Sequence, residues 1–160
     1  AAKYLGKGVV AADLAGAEAL FPTSSFEKIF KEAKMEGIPF TIHAGEAAGP
    51  ESIWTALKFG AHRIGHGVRC LEDEELVTYL RENQIPLEVC PTSNFQTKAV
   101  KGEYPLKKML EKGLCVTLNT DNTTVSGTTL KKEYEVAGNQ LGLTEEEINI
   151  LKENAEKARF

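Results

Sequence analysis

Short apolar runs alternate with helix-periodic stretches along the whole chain. The run GVVAADL, residues 8–14, reads as a strand, and Ser24-Ser25-Phe26-Glu27 has the form of a capping box for a helix reaching about Gly37. Pro39 to Ala44 is the next strand, and Gly49-Pro50-Glu51 opens a helix that Gly60 closes. Arg63-Ile64-Gly65 then forms a short strand, Glu72 to Asn83 a helix, and Pro86 to Cys90 a strand. Pro105 to Lys112 is helical with Gly113 at its end, and Leu114 to Asn119 is the fifth strand. Two helices follow, Thr129 to Gly142 and Thr144 to Phe160, the second headed by the capping box Thr144-Glu145-Glu146-Glu147.

Strict alternation of strand and helix implies parallel strands, because each crossover helix returns the chain to the same end of the sheet. The fold class is α/β. Asp13, His43, His66, Cys90 and Asn119 stand at successive strand ends, 30, 23, 24 and 29 positions apart. That near-regular unit suits a (β/α)n barrel. A doubly wound sheet fits the same pattern, but no GxGxxG follows a strand, and Gly6-Lys7-Gly8 precedes one. Five strands fall short of eight, and the last helical run has no C-cap signal, so the chain reads as one partial barrel domain over residues 1–160.

Composition narrows the function. A formal charge of −4 and a pI near 5.5, with no basic run, argue against nucleic-acid or anionic-membrane partners and leave a small molecule as the expected ligand. No apolar stretch approaches the length of a membrane span, and the first residues lack signal-peptide architecture, so a cytoplasmic protein is expected. Three cysteines, Cys70, Cys90 and Cys115, form no CxxC pair and fit a reducing compartment; Cys90 and Cys115 lie in apolar runs and read as core.

In a parallel barrel, reactive groups gather at the C-terminal ends of the strands. Asp13, His43, Glu46, His66, Asn94, Asp121 and Asn122 all lie at or just after such an end. A lone histidine there is more often structural, yet the shared edge favours a site. Imidazole and carboxylate at His43 and Asp121 are ligand types suited to zinc. No HExxH helix, PCxxC pair or GxSxG elbow is present, which sets aside zincin, cytidine-deaminase and serine-triad chemistry.

Five motifs, DLAG at Asp13, HAGE at His43, RIGHG at Arg63, CPTSN at Cys90 and LNTDN at Leu118, resemble the successive motifs of the adenosine deaminases in order and spacing. The resemblance covers essentially the whole chain. It implies the C-terminal part, strands four to eight with their helices, of a (β/α)8 TIM barrel that uses Zn2+ to hydrolyse adenosine to inosine and ammonia. On that resemblance His43 and Asp121 are zinc ligands, with Asp121 also catalytic; Glu46 donates a proton to purine N1; His66 orients the attacking water and helps remove its proton. Gly16 would bind N3 through its backbone N–H and Asn122 would donate to N7, both sensible because N1, N3 and N7 of adenine are acceptors.

The chain departs from the pattern twice. The family's first two ligands form an HxH pair on strand one, whereas His43, His62 and His66 include no such pair, and His62 is expected to be exposed. Asn122 stands where many members have a second Asp, though some bacterial members share it. The expected partners are a purine nucleoside and either the N-terminal half of the barrel or a second copy at exposed strand edges. Two rivals stay open: a deaminase of adenine or a modified adenosine, and a non-catalytic purine-binding fragment.

Overall fold

A computed structural model describes residues 1–160. Five parallel strands lie side by side in chain order: β1 (Ala12–Leu14), β2 (Phe40–Ala44), β3 (Arg63–His66), β4 (Leu87–Val89) and β5 (Val116–Leu118). Register advances evenly, with Ile42 opposite Leu14 on one side and Ile64 on the other. These are five consecutive strands of a (β/α)8 barrel, as expected, and β1 and β5 are the edges. Between them run α1 (Glu27–Met35), α2 (Pro50–Phe59), α3 (Glu74–Glu82), α4 (Pro91–Gln96) and α5 (Leu106–Glu111). After β5 come α6 (Thr123–Ser126), α7 (Leu130–Asn139) and α8 (Glu145–Lys157).

The core fills the space between sheet and helices, where Phe40, Ile42, Ile64, Leu87 and Val116 meet Ile53, Leu76 and Leu151. The opposite strand face carries polar side chains. There Arg63 Nε lies 2.8 Å from Glu88 Oε1 as an ion pair without hydrogen-bond alignment. Burial raises the Glu88 pKa, although the Arg63 charge works against that shift. No helix is long and apolar enough to cross a membrane.

Several local signals hold. Pro50 sits in the first turn of α2 and Gly60 ends it in a left-handed cap. At Thr144 both capping-box bonds form, Glu147 N–H to Thr144 Oγ1 at 3.2 Å and Thr144 N–H to Glu147 Oε2 at 2.8 Å. Others do not. The Ser24 box is absent, because the chain makes a 3-10 turn over Thr23–Phe26 and Thr23 is drawn inward to bond Ser52 at 2.8 Å. The first strand begins at Ala12, four residues later than the apolar run. The last helix stops at Lys157 instead of continuing to Phe160; Ala158 C=O then accepts from Arg63 Nη1, and the Phe160 ring lies 4.0 Å from the Arg63 guanidinium.

Candidate active site

All the polar residues singled out above lie on one edge of the sheet. His43 is the penultimate residue of β2, His66 the last of β3, and Asp121 and Asn122 lie between β5 and α6. The parallel register sets His43 opposite Gly65 and Ala44 opposite His66. Gly65 is required by that closeness: a Cβ there would stand 2.6 Å from His43 Cδ2 and 3.1 Å from its Cα. His66 and Asp121 both hold left-handed backbone, φ 63° and 56°, which side chains other than glycine's rarely adopt. At His66 this breaks the two-residue alternation that would send its ring, like the Ile64 side chain, into the helix layer.

The ring turns to the site instead. His66 Nε2 lies 3.2 Å from His43 Nδ1 and 3.5 Å from Glu46 Oε2, while Nδ1 lies 3.0 Å from Asn94 Nδ2. The sense of the Asn94 amide follows from its other partners: Oδ1 accepts from Tyr104 Oη at 2.8 Å and from Cys90 N at 3.4 Å. Nδ2 therefore donates, to His66 Nδ1 and also to Glu46 Oε1 at 3.0 Å. A neutral His66 with Nδ1 occupied as acceptor carries its proton on Nε2. Burial lowers the His66 pKa, the Glu46 charge opposes that shift and the His43 charge assists it.

His43 is in a different field. Burial works against its charge, but Asp13, 3.5 Å from Nε2, outweighs burial with help from Asp121 and Glu46, and the pKa rises. Asp121 is anchored by Ser93, whose hydroxyl donates to Oδ2 at 2.7 Å. His43, His66 and Asp121 border one cavity of about 130 Å³ together with Glu88, Cys90 and Asn119. Cys90 is buried as expected, but beside the site instead of in the hydrophobic core cluster. Imidazole and carboxylate facing one cavity fit zinc; no set of three or more His, Cys, Asp or Glu side chains converges on a metal position.

A second cavity, about 780 Å³, is bordered by Gly16, Glu18, Glu46, Arg69 and Thr97. Asn122 caps α6, its Oδ1 accepting from Thr124 and Val125 N–H at 3.1 and 3.0 Å. That fixes the amide with Nδ2 free to donate elsewhere. His62 is exposed, as expected, and its Nδ1 accepts from Phe40 N–H at 3.5 Å.

Sequence reasoning gave no role to four residues that hold this arrangement: Asn94, Ser93, Tyr104 and Glu18. Glu18 is buried, and its carboxylate accepts from the backbone of the HAGE turn. Its signal in the sequence was a lone acid in the otherwise apolar stretch AGAEALF.

The adenosine deaminase family pattern matches residues 1–160. Adenosine deaminase of Haemophilus ducreyi is 51% identical over 165 aligned positions, covering all of this chain and 48% of that protein. Among solved structures, adenine deaminase of Arthrobacter aurescens superposes with a TM-score of 0.92 at 32% identity, over 99% of this chain and 50% of the other. The N6-mAMP deaminase of Arabidopsis gives 0.82 at 33%, over 98% and 47%. The chain thus spans about half the length of the relatives it matches. With the family pattern running from the first residue to the last, the chain belongs to the adenosine deaminase family.

Proposed function

We propose that this chain supplies the C-terminal half of the active site of an enzyme that hydrolyses adenosine to inosine and ammonia. The observation that carries this reading is the convergence of Glu46, His66, His43 and Asp121 at one sheet edge, joined through Asn94 and Ser93. In the reaction water forms a C6–O bond as the C6–N6 bond breaks; one of its protons replaces on Glu46 the proton given to N1, and the other leaves with N6 as ammonia. Glu46 Oε1 already accepts two hydrogen bonds, from Asn94 at 3.0 Å and Thr97 at 3.1 Å, so the acid form carries its proton on Oε2 and delivers it to N1. His66, donating from Nε2, orients the attacking water. Gly16 N–H donates to N3, and the free Asn122 Nδ2 donates to N7.

His43 and Asp121 would hold zinc, whose contribution is to make a bound water acidic enough to serve as nucleophile near neutral pH. The further ligands would come from the part of the relatives' length that this chain does not span. The same missing strands, or a second copy, would pair with the edges β1 and β5. Three unpaired, buried thiols support a reducing, cytoplasmic setting. A second reading, deamination of adenine or an N6-methylated adenine nucleotide, is favoured by the likeness to the two solved deaminases. The test is turnover, in the barrel completed to eight strands, of adenosine beside adenine and N6-methyl-AMP. Inosine formation from adenosine is expected to have the largest kcat/KM, and a larger value for either competitor would replace the first reading with the second.

A further inference from the structure

Gly45 to Ala48 present four successive backbone N–H groups, all directed at one carboxylate. Glu18 Oε1 accepts from Gly45 N–H at 2.7 Å, and Oε2 accepts from Glu46, Ala47 and Ala48 N–H at 3.1, 2.7 and 2.9 Å. Such a concave run of N–H groups, opened here by Gly45 at φ 68°, is an anion cradle, and the anion is the chain's own. Burial opposes ionisation of Glu18, but the Ser52 hydroxyl and the cradle N–H groups outweigh it and lower its pKa. Glu18 is equally tied to its own segment, since its N–H donates to Gly16 C=O at 3.0 Å.

The carboxylate therefore bridges two segments with different work in the proposed reaction. One carries Gly16, the donor to N3, and the other carries Glu46, the donor to N1. Both border the same cavity as Glu18. We propose that Glu18 is a positioning residue that locks these two donors into one unit, setting both proton transfer to N1 and the selectivity for a purine with an acceptor at N3. This rests on the proposed function for its substrate; the clamp itself rests only on the hydrogen bonds.

Glu18→Gln keeps the shape but turns an NH2 toward an N–H of the cradle, so at least one bond is lost. In the completed barrel we expect amide exchange at Glu46 to Ala48 to quicken about 10-fold or more, and kcat for adenosine to fall by a similar factor with a smaller change in KM, as for lost charge-assisted bonds. The penalty that the wild type shows for 3-deazaadenosine should shrink. Glu18→Ala leaves a carboxylate-sized vacancy, and added formate should restore kcat and exchange protection, a response that a purely structural defect would not give. Unchanged exchange in Glu18→Gln overturns the clamp. Unchanged kcat and an unchanged 3-deaza penalty, with faster exchange, overturn the role in selectivity. If Glu18→Gln does not fold, the formate response of Glu18→Ala decides: recovery supports the proposal and its absence refutes it. A wild-type protein that leaves adenosine untouched refutes the proposed function instead, and the exchange data still judge the clamp.

Discussion

Replacing Asn94 by Leu should expose how much of the site depends on one buried amide. The Asn94 side chain is fully buried and bonds Glu46, His66 and Tyr104 at 3.0, 3.0 and 2.8 Å. Leucine fills a similar volume and makes none of these bonds. The largest loss is on the far side, where the buried hydroxyl of Tyr104, 5% exposed, loses the acceptor for its proton. An unsatisfied buried polar group costs about 1 to 3 kcal/mol, and the two lost donor bonds add about 1 kcal/mol each, so we expect a total of about 3 to 5 kcal/mol. Tyr104→Phe alone, which removes hydroxyl and bond together, should cost only about 1 kcal/mol. In the double variant the stranded hydroxyl disappears, and about 1 to 3 kcal/mol should return. Urea unfolding of the four proteins of this cycle in the completed barrel, followed by circular dichroism, measures the coupling. A coupling below about 0.5 kcal/mol, the usual error of additivity, would refute the reasoning, because Tyr104 and Asn94 would then be acting independently.

Further predictions concern the chemistry and its supports. Glu46→Gln removes the transferable proton, so turnover should fall by roughly 10² to 10⁴ while zinc content, read by elemental analysis, is kept; zinc loss would make Glu46 a ligand. Asn122→Ala should abolish the preference for adenosine over 7-deazaadenosine, worth about 1 to 3 kcal/mol in kcat/KM, and equal preference in wild type and variant would confine Asn122 to capping α6. Gly65→Ala would push a methyl into His43, so activity should drop sharply with little change in secondary structure, and a fully active variant would contradict the close approach. The lowered pKa of Glu18 gives stability that is present above the ordinary carboxylate value of 4.5 and is lost as pH falls through the folded value. Wild type should therefore lose more stability than Glu18→Gln between about pH 5 and 3 in thermal melts, and parallel curves would contradict the shift.

Much of this was legible because it is local. A proline in the first turn, a glycine at φ 96° and a Thr-Glu capping box are each set by neighbours a few residues away, and α2 and α8 form where those signals stand. The Ser24 box failed for a long-range reason, the pull of Ser52 on Thr23. The short α4 escaped notice because Pro91-Thr92-Ser93-Asn94 carries no helical periodicity; Pro91 fixes its first turn and Glu133, fully buried in α7, accepts from Thr92 N–H at 3.1 Å. The site followed the same division. Strand-end position was enough to single out His43, His66 and Asp121, whereas Asn94 joins Glu46 and His66 across 48 and 28 positions and Glu18 joins the N–H cradle across 27 to 30.

The chain-order sheet also bears on synthesis. Because β2 to β5 each pair with the strand that preceded them, every new pairing closes a loop of about one βα unit, and the entropy of closure stays nearly constant from one step to the next. A growing polypeptide can thus add each unit to the one already laid down, without waiting for a distant segment. Site groups join in the same sequence: Glu46 and His66 emerge before Asn94, which bonds both, and Asp121 emerges after Ser93, which bonds it. The ribosome therefore releases a scaffold for the site before it releases Asp121 and Asn122, the last of its residues.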